Sequence, residues 1–474
     1  MKKNLTFLSS VIAMVAVAHA GNFITSGNGT TFTFAQLAAL DGSCVKAVSD
    51  HAYYVADTLT LAKGDELVVD QDIDTLYLAD GAALELRGKA NLQAEGHRLV
   101  ITRANEDAVP ALITLYDNAE PTSWKNIDVS YTGVRCVSAG GFEIDSCSFC
   151  HFQPQTGTHY AVHLVDEKAC LKATHSLFAY NDHSAIGGAA NYNNVVKIED
   201  CTFYHNVLAN KNMPQINLTV ADSVVIRNNT IVGDSTMTYS GGIGVSNLMG
   251  FSADMYTVIE GNTIDSCRYG LTVTGPQTSL IRDNKIRHNR FETNANNGGS
   301  GISLYDPYYR SSCMITGNLI EDNLWGVTII GGGEVNLGKV NVDGVAVSAE
   351  ADDYNPGNNV FVNNGNNGVK YDLYNNGKQT IYAQGNTWNV EVQDSAHIEE
   401  VITHQADMAS LGKVIFMPCQ KDIVDGISVP TRTDATTPMR IYTLDGRYVG
   451  SDASALRHGM YILQDAKGSR KVVR

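Results

Sequence analysis

Six of the thirteen histidines in this 474-residue chain fall close together: His151, His159, His163, His175, His183 and His205. Imidazole changes charge near neutral pH, so beside carboxylates it is suited to proton transfer or metal ligation. His159, His163 and Asp166 flank one short segment, and Asn181-Asp182-His183 follows soon after. On an extended strand His159 and His163 would stand about 13 Å apart, too far to share one metal ion without a bend. A general acid–base pair of His163 with Asp182 or His183 is the easier geometry, and no metal site is expected. The competing reading is plainer: surface or turn-capping histidines.

A second group lies in Leu304-Tyr305-Asp306-Pro307-Tyr308-Tyr309-Arg310, with Arg268-Tyr269 about one repeat earlier. Elimination across a uronic acid needs a cation to neutralise the carboxylate and a base to take the C5 proton. Arg268 or Arg310 as the cation with Tyr305 or Tyr308 as the base could fill those roles, and Arg268, Asp306 and Arg310 are the catalytic candidates here. Tyr269, Tyr305 and Tyr308 are candidates for substrate contact, because aromatic rings beside a groove also stack on sugar faces without catalysis.

These side chains are set into a recurring phrase. It reads Ile226-Arg-Asn-Asn229-Thr-Ile231, Ile259-Glu-Gly-Asn262-Thr-Ile264, Ile281-Arg-Asp-Asn284-Lys-Ile286 and Ile315-Thr-Gly-Asn318-Leu-Ile320. Upstream the centre is Cys147, Ser176 or Cys201; downstream it is Asn359 and Asn386. The centres are spaced by 29, 25, 28, 33, 22, 34, 41 and 27 residues. Self-similarity at this period marks a solenoid whose repeats bury apolar surface against their neighbours. A strand-like phrase follows each centre: Gly242-Ile-Gly-Val245, Gly270-Leu-Thr-Val273, Gly301-Ile-Ser-Leu304, Gly326-Val-Thr-Ile329 and Gly368-Val-Lys-Tyr371. Its period-2 alternation gives one buried and one solvent face.

Stacked repeats would place Asn229, Asn262, Asn284 and Asn318 in an amide ladder with steps of about 4.8 Å. The same stacking lines up Gly244, Thr272, Ser303 and Thr328 as a shallow outward floor. His163 and Gly187 are its expected upstream neighbours, and Lys370, a further substrate-binding candidate, its downstream one. Phe34–Leu40 reads as a short amphipathic helix plugging the first coil. His397–Ile402 and the strand Lys413–Phe416 read as the closing cap, since open solenoid ends expose strand edges.

From about Thr58 to Trp388 the chain resembles the right-handed parallel β-helix proteins, the pectate-lyase-like family. That resemblance implies an all-β solenoid with ligands lying along an outward strand column. It does not imply one reaction, because many chemistries share the scaffold. The Asn-Thr-Asp, Asp-Asp, Gly-His-Gly and Arg-Ile-Lys set of polygalacturonases is missing, as is the Trp-Ile-Asp-His-type motif of pectate lyases. Tyr305-Asp306-Pro307-Tyr308 is similar to the Asp-Pro-His of mannuronan epimerases, but Tyr stands where the histidine should be.

Lys2-Lys3, the apolar run Leu5–Ala18 and Ala18-His-Ala20 have the form of a secretory signal peptide. At the other end, Met439–Arg447 with its Leu-Asp-Gly-Arg turn, Gly459-Met-Tyr-Ile-Leu463 and the terminus Arg470-Lys-Val-Val-Arg474 resemble the type IX secretion sorting domain of bacterial surface proteins. That resemblance implies export through outer-membrane secretion machinery, then release or attachment at the outer-membrane surface. The expected division is a signal peptide over 1–20, an N-terminal cap over 21–50, a parallel β-helix over 51–395 and its C-terminal cap over 396–420. A linker over 421–437 then leads to the sorting domain, a small β-sandwich-like unit over 438–474.

The formal charge is −16; residues 436–474 carry seven Lys or Arg against three Asp, or +4, and Lys2 and Lys3 leave with the signal, so residues 21–435 carry −22. A field of that sign disfavours nucleic acid and, mildly, polyanionic substrates. Cys147 and Cys201 would sit two coils apart in one column, about 9–10 Å, beyond disulfide reach. Cys147 and Cys150 should point to opposite sides of a strand, so a Cys-x-x-Cys metal site is not expected. The sequence reading is a secreted or surface-attached monomer acting on extracellular polysaccharide or cell-surface glycan, as a lyase- or hydrolase-like enzyme. Its alternative is a non-catalytic glycan-binding or adhesin-type protein. No cofactor is identified.

Overall fold

The computed structural model describes residues 21–421, apart from 72, 117–120, 155–159, 166–168, 189–193, 220–221, 249–254, 293 and 295–296. Beyond them it describes four strands between 440 and 473. The expected signal peptide and the linker beyond Lys421 lie outside the described residues. Two compact units divide at Lys421 and Asp422.

In the first unit each coil contributes three strands, as in Ser223–Arg227, Thr230–Val232 and Ser240–Ser246. Coils stack into three long sheets of 12, 13 and 14 strands, and the coil-to-coil pairing is parallel. The apolar positions of the repeated phrase become continuous files. Ile198, Ile226, Ile259, Ile281 and Ile315 pair in register in one sheet. Phe149, Phe178 and Phe203 stack in the next, with ring centres 5.3 and 4.8 Å apart. Each side chain closes the gap left by the one below, so no single coil could be dry alone.

Between the 12- and 13-stranded sheets the chain turns through one left-handed residue per coil. Ser146, His175, Asp200, Asn228, Gly261, Asp283, Gly317 and Asn358 have φ between 48° and 68°. The residue after each is the ladder position. Asn229 Oδ1 accepts the Cys201 N–H, Asn262 Oδ1 that of Asn229, and Asn284 Oδ1 that of Asn262, each at 2.9 Å. Asn318, Asn359 and Asn386 continue the file at 3.0, 3.1 and 2.9 Å. A buried turn would otherwise strand these N–H groups away from water. Ser176 does the same for Cys147 at 3.1 Å, which explains why a hydroxyl can hold a rung.

Both ends are closed. Thr33 and Gln36 form a reciprocal capping box on the helix Phe34–Ala38, whose Phe34 and Leu37 are buried. Asp65, fully buried, accepts the N–H groups of Gly27, Gly29 and Thr30 at 2.8, 3.1 and 3.0 Å and pins the first loop. At the far end Asp394 caps the helix Ser395–Glu399, and Val414–Ile415 is the edge strand of the 12-stranded sheet. None of the nine cysteines is in a disulfide; burial pushes the Cys147 thiol to about 11 and Cys201 to about 12, so neither is a reactive thiolate at neutral pH.

The strands of the second unit form one antiparallel sheet, ordered Tyr448–Gly450, Arg440–Thr443, Met460–Asp465 and Gly468–Val473. The Asp445-Gly446 turn lies outside the described residues.

Candidate functional site

The outward column of the 14-stranded sheet runs Thr114, Arg135, His163, Gly187, Asn217, Gly244, Thr272, Ser303, Thr328, Tyr374 and Thr403, in register from coil to coil. The expected floor is thus present, with Asn217 added. Lys370 is not in it. Gly368, with φ 82°, belongs to a surface hairpin of Gly365–Asn366 and Val369–Lys370, and Lys370 Nζ donates to the Asn389 carbonyl at 3.0 Å. The true strand of that coil is Leu373–Asn376, so Tyr374 occupies the place assigned to Lys370.

The histidine group does not converge. His163 pairs in register with Gly187 and Tyr160 with Ser184, so His183 lies four residues upstream, roughly 13 Å along the strand from His163. His163 instead packs on Tyr160, ring centres 4.9 Å apart. Asp182 faces His183 and His151; burial raises its carboxyl above the usual range, opposed by those two imidazoles. His159 and Asp166 lie outside the described residues. Half of the histidine group has a backbone cause, since His151, His175 and His205 occupy left-handed turn positions, as His288 does further along. His151 is sandwiched between Tyr131 and Tyr180 at 5.3 and 5.5 Å, and His175 Nδ1 meets Asp145 Oδ1 at 2.9 Å.

The second group also splits. The Arg268 carbonyl accepts from Gly299 at the start of Ser300–Asp306, whereas Asp306 and Arg310 leave its far end, roughly 20 Å away. Arg268, nine-tenths buried, donates from Nη1 to Asn212 Oδ1 at 2.5 Å and lies between the rings of Tyr239 and Tyr269. Asp306 is buried and holds its own loop: its carboxylate accepts the N–H groups of Tyr308, Arg310 and Ser311 at 2.8, 2.7 and 2.6 Å. Burial alone would raise this carboxyl, but those N–H groups outweigh it and hold it below the usual range. Arg310 stands over Tyr308 at 5.4 Å, and the Tyr308 hydroxyl donates to the Leu248 carbonyl at 3.1 Å. Tyr305 is exposed on the outer face.

A carboxylate so fully engaged is a structural pin. Asp306→Ala should cost about 3 kcal/mol in urea unfolding, because three N–H groups lose their acceptor. The native carboxyl is depressed, so this contribution is complete above the unfolded pKa near 4 and fades as pH falls through the lower folded value. An unfolding free energy equal to wild type at pH 7 would contradict this assignment.

What the coils do bring together is a groove of about 380 Å³ on the outer face of the 14-stranded sheet. Its floor is Thr272, Ser303 and Thr328, and the Ser300 and Thr328 hydroxyls are 3.0 Å apart. Tyr269 and Trp325 form one wall with Asn297 and Gly298; Ile330 and Asn376 line the other side, and Tyr374 stands at one end. Trp325 packs on Tyr371 at 4.1 Å and on Tyr374 at 6.0 Å. The wall, which holds the substrate-contact candidate Tyr269, has a sequence signature that also marks Trp325. Tyr269, Ser300 and Trp325 each immediately precede the repeated strand glycine, and Gly242, Gly270 and Gly326 donate to the carbonyls of Tyr269, Ser300 and Tyr371.

Glu399, His404 and Asp407 also gather within 4.8 Å. His404 Nδ1 accepts the Val414 N–H at 2.9 Å, so Nε2 carries the proton and donates to Glu399 Oε1 at 2.6 Å. Both ring nitrogens are used, and the cluster is a clasp for the cap rather than an ion site.

Comparison with curated proteins finds no match. Among solved structures, a doubly substituted form of the periplasmic alginate epimerase AlgG is 12% identical, with 84% of this chain and 85% of that chain covered and a TM-score of 0.47. Another structure of that epimerase is 11% identical, with coverages of 82% and 83% and a TM-score of 0.33. Similarity at this level carries no argument about activity. Residues 113–388, more than half of the sequence, match the right-handed β-helix region. With its three parallel sheets and continuous amide ladder, the chain belongs to the right-handed β-helix family.

Proposed function

We propose that this protein is a non-catalytic glycan-binding solenoid, exported and displayed at the cell surface, that holds carbohydrate in the groove over Thr272, Ser303 and Thr328. The observation that carries this reading is the groove's composition. Aromatic rings of Tyr269, Trp325 and Tyr374 border a floor of hydroxyls, so apolar sugar faces and sugar hydroxyls both find partners. Lyase or hydrolase chemistry has less support. It needs an acid and a base, or a base and a cation, within reach of one bond. His163 and His183 stand apart, Arg268 is directed to Asn212, and Asp306 is committed to its loop.

Trp325→Ala should weaken binding of the mature protein to its polysaccharide by about 30-fold, the loss of about 2 kcal/mol expected for a central aromatic anchor. Affinity electrophoresis through polysaccharide gels would measure it. Unsaturated-product absorbance and reducing ends, followed in parallel, should stay flat. Steady release of either would return the enzyme reading. Export and surface display rest on residues 1–20 and 438–474; deleting 438–474 should leave the protein inside the outer membrane on fractionation.

A further inference from the structure

We infer that the groove receives the terminus of an uncharged glycan chain, an inference that rests on the glycan-binding reading and specifies it. The first support is electrostatic. Among the described residues, every side chain lining the groove is neutral at physiological pH: hydroxyls, amides, aromatic rings and one isoleucine. The neighbouring cation, Arg268, donates from Nη1 to Asn212 on the strand connection two coils earlier, and its Nε lies behind the wall glycine Gly298. A carboxylate or sulfate brought into this groove would lose water with no charged side chain among the lining residues to meet it. The −22 charge of residues 21–435 adds to the repulsion. Sugar hydroxyls face no such penalty, since Ser303, Thr328, Asn297 and Asn376 both donate and accept.

The second support is shape. Thr272, Ser303 and Thr328 are low rungs about 4.8 Å apart. The next rung of the same column is Tyr374, whose ring projects where the preceding rungs present only a hydroxyl. Trp325 braces it at 6.0 Å, with the rings 27° from parallel, and Tyr371 backs Trp325 at 4.1 Å. The floor therefore does not continue to Thr403. In the other direction Tyr269 folds over Gly241, where an added Cβ would lie 2.2 Å from the ring, and Pro214 leans over Gly244. Three open rungs in a cavity near the small end of ligand pockets suit a chain end of a few sugars. A polymer crossing mid-chain would have to leave past Tyr374.

The test measures intrinsic tryptophan fluorescence and calorimetric titration of the mature protein with defined probes. These are the tetramers of β-glucan, mannan and xylan, the tetramers of mannuronate and galacturonate, and the parent polymers. A neutral tetramer is expected to bind at least tenfold more tightly than either uronate tetramer, and at equal mass its polymer should compete at least tenfold less well than the tetramer. Tyr374→Ala should raise the ratio of polymer to tetramer affinity at least tenfold by opening the end. Uronate tetramers binding as well as every neutral one would overturn the inference while leaving glycan binding in place. So would a polymer matching its tetramer by mass, or a ratio unmoved in Tyr374→Ala. No binding by any probe would overturn both the inference and the glycan reading.

Discussion

Replacing Asn284 by Leu should lower the unfolding free energy of the solenoid by about 4 kcal/mol, although the two side chains are close in size. Asn284 Oδ1 accepts the Asn262 N–H at 2.9 Å and Asn262 Nδ2 at 3.0 Å. Its Nδ2 donates to the Ile259 carbonyl and to Asn318 Oδ1, both at 2.9 Å. Leucine makes none of these contacts. The Asn262 N–H is then left in a dry turn with no acceptor, a loss of about 1–3 kcal/mol, and three further bonds at about 1 kcal/mol each are broken or weakened. Every asparagine rung is 1% exposed or less, so water cannot substitute without opening the coil. Asn284→Ser should be milder, because Ser176 already accepts an N–H at its own rung. Solenoids unfold by neighbouring repeats, so urea titration should be joined by hydrogen exchange, with the amide of residue 262 among the most accelerated. A cost under 1 kcal/mol, with protection intact, would show that the ladder is decorative.

Asp372→Asn should stabilise the protein at pH 8 by about 3 kcal/mol and leave it unchanged at pH 4. Asp372 is fully buried below the strand carrying Trp325, at the end of an inner file of amides through Asn289, Asn323 and Asn364. Burial raises its carboxyl to about 7, against the Asn389 N–H at 2.7 Å and a long contact from Asn364 Nδ2 at 3.4 Å. A raised carboxyl means the folded state holds its proton more tightly than the unfolded state does. Stability from this group is therefore complete below about pH 4 and declines as pH rises toward 7. The whole displacement is on the order of 4 kcal/mol at 1.36 kcal/mol per unit. Asparagine keeps an acceptor for Asn389 and carries no charge, so thermal melts of variant and wild type should coincide in acid and separate in alkali. Pinned carboxylates such as Asp65 and Asp306 follow the opposite trend, but they are common to both proteins and cancel in the difference. Equal melting temperatures from pH 4 to pH 8 would place the Asp372 proton elsewhere.

Much of the candidate groove was readable in the repeat, and its misreadings have identifiable causes. Thr272, Ser303 and Thr328 follow from counting two residues past each strand glycine, because successive coils stack in register. The count failed one coil later. The interval of 41 residues between Asn318 and Asn359 houses the hairpin Asn341–Val342 with Val345–Ala346, and a second hairpin places Gly368 on a turn instead of a strand. Tyr374 therefore holds the rung that the count assigns to Lys370. The histidine grouping has a different cause: left-handed turn positions recur twice in most coils, and three of the six grouped histidines, His151, His175 and His205, occupy them.

By itself the amino-acid sequence determined the solenoid, the amide ladder and the direction in which each strand residue points. Those depend on local periodicity, and nearest-neighbour stacking repeats the same decision in every coil. Only the tertiary structure decided which outward residues share a site. Groove walls, the reach of Arg268 to Asn212 and the closing ring of Tyr374 are relations between coils and connecting loops of unequal length. A residue count cannot supply them, because an inserted hairpin changes the count without moving the strand.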